Sequence, residues 1–325
     1  MSEIAKAAGV SVATVSKVIN GCDQHISDET RKKIQYLVNE YGYVPNAVAK
    51  GLKTSRSKIL GFVLPDITNP YFPSIVKGLE DTAKQYGYGV IIGNTNDEPD
   101  VEKTLIRNMA SHLVAGICFV KALKGNNLDS CKQIDLPIVV VDREIEAGDY
   151  GFGQVYVDTI KGIYDSTCEL IKAGCRKIAF ISAYYKNEDN DRYIGYKQAL
   201  LDNQLMLNES LVYREKYDYP TGYEGIRIIL DENSVDGVVC GNDLIAAGVL
   251  SFLKENNIRV PDQIKVMGFD DIYLAQCLSP ALSTVNQPAY RIGSEAAKML
   301  IDNIEYGTPL FTKKIDYELV MRGTV

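Results

Sequence analysis

The residues able to do chemistry in this chain are dispersed, and most stand just after short apolar runs. Asn69, Tyr71 and Phe72 follow Ile59–Leu64, Asp142 and Arg143 close the run Pro137–Val141, Asn242 follows Gly237–Cys240, and Asp270 ends the run that begins at Ile264. Arg192 opens an amphipathic stretch, Tyr217 stands in a loop, and Gln287 precedes Pro288. Taken singly, an Asn or Asp after a strand is most often a helix cap. Taken together, the set has a definite competence. Aromatic rings cover the apolar faces of a polyhydroxylated ring, while carboxylate, amide and guanidinium groups replace the water stripped from its hydroxyls.

The elements that must carry these residues alternate between strand and helix. Apolar runs at 59–64, 89–92, 115–120 and 137–141 read as buried parallel strands, with helices expected at 73–86, 101–113 and 128–134. The scheme restarts with strands at 178–182, 237–240 and 264–268, and helices at 159–173, 192–204, 222–230, 243–256 and 289–304. Two such sets predict an α/β body of two doubly wound parallel-sheet lobes, with the ligand between them at the carboxyl ends of the strands. The expected boundaries are about 58–157 and 288–316 for one lobe, and about 158–287 and 317–325 for the other.

Catalytic signatures are missing. No G-x-G-x-x-G follows a strand, the glycines from Gly87 to Gly93 have the wrong spacing, and there is no P-loop and no G-x-S-x-G elbow. The seven cysteines include no C-x-x-C pair, and two histidines make a histidine-rich metal site improbable. The expectation is a binding protein, not an enzyme, with no metal and no cofactor. A sugar-modifying α/β enzyme with an accessory helical domain is the alternative from another class.

Residues 1–44 read differently. Ser2 can cap a short helix stopped by Gly9, and Ser11 a second one that closes at Asn20 and Gly21. Two short helices around a glycine turn form a helix-turn-helix unit. With Ile4, Ala8, Val10, Val15 and Val18 or Ile19 facing a common core, Val12, Ala13, Thr14, Ser16 and Lys17 point outward. Such a face suits a major groove: Val12 and Ala13 against thymine methyls, Lys17 on guanine, the hydroxyls on phosphate. A third helix starts at Ser27 and runs through Ile34, Leu37, Val38 and Tyr41. Beyond it, residues 45–57 begin with a proline suited to a helix start, but the stretch is too short to be a stable helix alone.

Ala5–Ser11, Thr14–Asn20 and Pro45–Thr54 resemble the lactose/galactose-repressor family of bacterial transcription regulators, over the whole chain. The resemblance implies that the second helix reads operator DNA, through Ser11, Val12, Ala13, Thr14, Ser16, Lys17 and Asn20. It also implies a hinge that becomes helical on DNA, where Ala49, Leu52 and Lys53 make contact and Leu52 wedges into the minor groove. The body resembles ribose-type periplasmic sugar-binding proteins, and Asn69, Tyr71, Phe72, Asp142, Arg143, Arg192, Tyr217, Asn242, Asp270 and Gln287 match their ligand pattern, with Tyr in place of Phe at 71 and 217. The implied function is a repressor whose operator affinity is set by a small sugar, a monosaccharide such as ribose. Control by a phosphorylated partner protein, as in the catabolite-control branch, is the alternative.

Charge agrees with that division. Over residues 1–58 nine Lys/Arg face five Asp/Glu, whereas the chain as a whole carries a net charge of −7, and a basic head on an acidic body is the pattern of a nucleic-acid reader joined to a regulatory domain. At 325 residues with 46% hydrophobic content the chain can fill several cores. Its apolar runs are strand-length, too short for a membrane span, and no signal peptide is visible, so a cytoplasmic protein is expected. No leucine heptads follow the last strand, which points to a homodimer.

Overall fold

The structure, a computed structural model, describes residues 1–19, 21–43, 57–111, 114–123, 127–145, 150–184 and 190–325. Two units emerge, Met1–Ser57 and Lys58–Val325.

In the first unit, α1 spans Ser2–Ala8, α2 Val12–Ile19 and α3 Asp28–Glu40. Gly9 ends α1 at φ 73°, a left-handed conformation that returns its N–H to the last turn. The Ser11 hydroxyl accepts the Thr14 N–H at 3.0 Å and so starts α2. Ile4, Ala5, Ala8, Val15, Val18, Ile34 and Leu37 form the core, with Val10 and Ile19 at its edge. Arg31 closes the turn before α3 through the Asp23 carboxylate and the carbonyls of Asp23 and Ile26. Tyr41, expected on the inner face, is 51% exposed, because α3 stops at Glu40 and Tyr41 lies at its cap, where the helical period is lost.

Among the described residues, the second unit holds two six-stranded sheets. The first joins β1 (Ile59–Leu64), β2 (Gly89–Asn94), β3 (Gly116–Phe119), β4 (Ile138–Asp142), β5 (Gly153–Val157) and β11 (Thr312–Ile315) in the order β2-β1-β3-β4-β5-β11, all parallel. The second joins β6 (Ile178–Ala183), β7 (Val212–Glu215), β8 (Gly237–Cys240), β9 (Lys265–Asp270), β10 (Ser283–Asn286) and β12 (Glu318–Val320) in the order β7-β6-β8-β9-β10-β12, where β12 alone runs antiparallel. Around the first sheet lie α4 (Tyr71–Gln85), α5 (Pro99–Ser111), the short α6 (Leu128–Cys131) and α12 (Ala289–Tyr306). Around the second lie α7 (Thr159–Lys172), α8 (Asp191–Asp202), α9 (Tyr219–Glu232), α10 (Asp243–Glu255) and α11 (Tyr273–Cys277). The chain therefore crosses between sheets three times: after β5, after β10 and after β11.

Central strands are buried on both faces, which is why they read as unbroken apolar runs. The strand β10 is buried yet polar. Ser283 accepts the Arg322 N–H at 2.8 Å and gives its own N–H to Thr324 at 2.8 Å, and Thr284 donates to Asp243 at 2.6 Å. Helices α4 and α12 touch backbone to backbone. A Cβ on Gly78 would stand 1.9 Å from the Tyr290 carbonyl oxygen, and one on Gly293 1.9 Å from that of Ile75, so both sites require glycine. Among the described residues, no helix is long and apolar enough to cross a membrane.

Candidate effector cleft and DNA-reading face

The strand ends of the two sheets face one cavity of about 440 Å³. Asn69, Tyr71, Phe72, Asp142, Arg143, Arg192, Tyr217, Asn242 and Asp270 all line it. Gln287 stands beside a second cavity at the crossover after β10, which shares Tyr71 and Asp270 with the first.

Local structure delivers each group. Asn69 accepts the Tyr71 N–H at 3.1 Å and starts α4, so Tyr71 and Phe72 enter the cleft from a fixed helix end, packed edge to face with centroids 5.3 Å apart. The Tyr71 hydroxyl donates to Asp142 at 2.7 Å. Burial, with the charges of Asp142 and Asp270 adding to it, holds the Tyr71 phenol well above its usual pKa, so it remains a neutral donor. Asp142 sits at φ 71° and Asp270 at φ 110°, a left-handed region that non-glycine residues rarely occupy. Both carboxylates are thus held at the cavity by a backbone conformation that costs free energy and that the surrounding structure must maintain.

Arg143 donates to Asp97 at 2.9 Å and to the Lys121 carbonyl. On the opposite wall, Arg192 donates to the Tyr217 hydroxyl at 2.7 Å and stands 3.8 Å from Asp270. Its guanidinium also lies over the Tyr217 and Phe269 rings, 4.7 and 4.8 Å from their centroids. Asn242 caps α10 through Ile245 N–H at 3.0 Å and points Nδ2 to the Tyr217 carbonyl. Asp270 accepts from Gln287 Nε2 at 2.8 Å. Burial pushes the Asp270 carboxyl up, against the opposing pull of Arg192 and Gln287. Behind it the buried Asp243 accepts the Ile272 N–H at 2.8 Å as well as the Thr284 hydroxyl, and fastens the turn that carries Asp270. Burial raises the Asp243 carboxyl to about 7.

Sequence reasoning missed a share of the wall. Asn96, Asp97 and Glu98 come from the loop after β2, Glu215 from the end of β7, and Lys216 and Asp218 from the loop after it. A signal for the first group was present: the polar run Asn94–Glu98 follows a predicted strand, and Asn96 and Asp97 take φ of 52° and 59°. No strand was expected at β7, so the loop beyond it carried no signal.

In the first unit, α2 turns Val15 and Val18 inward and leaves Ser11, Val12, Ala13 and Lys17 exposed, with Thr14 and Ser16 half-buried. The Thr14 hydroxyl pairs with that of Ser11 at 2.8 Å. Asn20, Ala49, Leu52 and Lys53, and the hinge from 45 to 56, lie outside the described residues.

Comparison with known proteins agrees at both ends. Residues 1–46 match the lacI family of bacterial regulatory proteins, and residues 167–325 match a periplasmic binding protein-like domain. The chain is 37% identical over 329 residues to the HTH-type transcriptional regulator RegA of Clostridium saccharobutylicum, covering 99% of this chain and 98% of that protein. It is 33% identical over 310 residues to the ribose operon repressor of Haemophilus influenzae, with coverages of 94% and 92%. The lac repressor dimer bound to operator and the anti-inducer ONPF superposes with a TM-score of 0.87 at 23% identity, over 99% of this chain and 97% of that one, a likeness of fold. The chain belongs to the lacI family of bacterial transcription regulators, with a helix-turn-helix DNA-binding domain followed by a two-lobed periplasmic-binding-protein-like domain.

Proposed function

We propose that this regulator is a homodimeric repressor that reads a pseudo-palindromic operator through α2 and is controlled by a small sugar, a pentose such as ribose, bound between the lobes. The observation that carries the reading is the composition of the cleft wall. Tyr71, Phe72 and Tyr217 supply ring faces, and Asp142, Arg143, Arg192, Asn242 and Asp270 supply donors and acceptors from both sheets around one cavity. Binding to both lobes favours one lobe angle over another, and only such differential affinity shifts a conformational equilibrium. Likeness to a ribose operon repressor supports a pentose. The exposed face of α2 supports base readout by Val12, Ala13 and Lys17. Edge strand β2 exposes Ile91 and Ile92, each at 45%, an apolar rim that a second copy would cover.

The test uses an operator selected from random duplex DNA by the full chain. Fluorescence anisotropy is then followed while monosaccharides are added one at a time. One sugar should lower operator affinity by about 5- to 150-fold, the usual range of allosteric coupling. Arg192→Ala should bind operator like the wild type and lose the response. A wild type indifferent to every sugar, or an Arg192→Ala protein that responds at the original concentration, refutes the cleft assignment.

A further inference from the structure

Among the described residues, the cavity wall carries seven carboxylates, from Asp66 to Asp270, against three cations, Arg143, Arg192 and Lys216. Even with Asp270 protonated the acids outnumber the bases two to one. Both guanidiniums are engaged inside the protein, Arg143 by Asp97 at 2.9 Å and the Lys121 carbonyl, Arg192 by the Tyr217 hydroxyl and, at 3.8 Å, by Asp270.

Helix starts, the other common anion sites, are each satisfied in part by a side chain. Four of them border the cleft, and each gives an amide to a side chain: Tyr71 N–H to Asn69, Tyr193 N–H to Asn190, Thr221 N–H to Asp218 and Ile245 N–H to Asn242, at 2.7–3.1 Å. At Asp218 the acceptor is itself a carboxylate.

Asp97 is the nearer of two carboxylates paired with the cation on the wall of the first sheet, at 2.9 Å against 4.0 Å for Asp142. It is fixed from two sides, accepting the Leu123 N–H at 3.0 Å as well as Arg143, and its side chain is 27% exposed, against 14% for Arg143. A phosphate seeking Arg143 must therefore displace Asp97 or lie beside it, and like charges held together at an interface are costly.

We propose that Asp97 is a specificity-determining residue of the effector cleft: by occupying Arg143, it makes the cleft select free sugars over their phosphate esters. This rests on the cleft being the sugar site. Removing the carboxylate takes away the shorter of the two ion pairs of Arg143, at 2.9 Å, and leaves the looser one to Asp142 at 4.0 Å beside the Lys121 carbonyl, so more of its positive field turns toward the cavity.

Isothermal titration of the full chain tests the assignment, with D-ribose, D-xylose, D-glucose and D-galactose and the 5- or 6-phosphate of each. At least one free sugar should bind, its phosphate at least about tenfold more weakly, as charge juxtaposition demands. In Asp97→Asn that ratio should shrink by about tenfold, chiefly through tighter binding of the phosphate. Asp97→Glu, which keeps the charge, should preserve the wild-type preference and guards against a misfolded amide variant. A phosphate that binds wild type as tightly as its free sugar overturns the proposal while leaving the cleft a sugar site. An unchanged ratio in Asp97→Asn with a wild-type melting temperature overturns the role of Asp97. Silence with all eight compounds refutes the sugar reading, and this inference with it.

Discussion

Replacing Asp243 with asparagine should change how stability depends on pH more than it changes stability itself. The carboxyl is buried, accepts from Ile272 N–H and the Thr284 hydroxyl, and titrates at about 7. In the unfolded chain an aspartate titrates near about 3.9. Between those values the native protein holds a proton that the unfolded chain has lost, so the unfolding free energy falls as pH rises and levels off above 7. The gap of about three pH units, at about 1.36 kcal/mol each, makes a total near 4 kcal/mol, of which roughly 3 kcal/mol falls between pH 5 and pH 8. An asparagine at this position has no such transition. Its oxygen can accept from Ile272 while its amide donates to a rotated Thr284 hydroxyl, so the local cost should stay near about 1 kcal/mol. Relative to wild type, Asp243→Asn should therefore gain roughly 3 kcal/mol between pH 5 and pH 8. Urea unfolding by circular dichroism at the two pH values measures the difference, from which the other titrating groups cancel. Asp243→Ala gives the contrast: it orphans two buried donors at about 1–3 kcal/mol each, and it should weaken sugar binding because the Asp270 turn is released. Parallel pH profiles for wild type and Asp243→Asn would refute the reasoning.

Two further outcomes are expected. Lys17→Ala should weaken operator binding by about 1–3 kcal/mol and relax preference at one base position, which a panel of single-base operator variants would reveal; uniform weakening across the panel would make Lys17 a phosphate contact. Gly78→Ala places a Cβ 1.9 Å from the Tyr290 carbonyl oxygen, so α4 and α12 must part, and thermal unfolding should show a loss of about 1–3 kcal/mol; an unchanged melting temperature would mean the helix pair adjusts freely.

What could be read from the sequence follows from where burial alone decides. Strands β1, β4, β6 and β8 are apolar on both faces and announce themselves, and the strand-end residues Asn69, Asp142, Asn242 and Asp270 could be placed by reference to them or to β9. Other strands could not be read this way. Half-exposed β7 and lysine-bearing β11 show neither a run nor a clear alternation. In β10, the run Ser283-Thr284-Val285-Asn286 is stable inside only because Thr324, Arg322 and Asp243 satisfy it, partners that lie about 40 residues away in either direction along the chain. Asp97 shares that difficulty. Its type and place after β2 were visible, but its meaning depends on Arg143, which lies 46 residues further on. Pairing across sequence distance, more than residue type, was the hidden quantity.

The same pairings bear on how a sugar can act on the lobes. Each crossover between the sheets carries a polar tie. Asp158, just after β5, starts α7 and pairs with Lys314 of β11, so one ion pair links the first and third crossovers. The second is tied by Gln287, which donates to Asp270. Of these groups, Asp270 alone also lines the cavity, and Asp158, Lys314 and Gln287 do not. A ligand hydroxyl that competes for the Asp270 carboxylate therefore reaches the second crossover through one hydrogen bond, whereas it touches the other two only by moving a whole lobe. Differential affinity for lobe angle then depends most on Asp270 and on the Asp243 clasp beneath it. Tyr71 borders both cavities and reads the same crossover from the opposite sheet, so a bound ring packed on Tyr71 and bonded to Asp270 spans the joint itself.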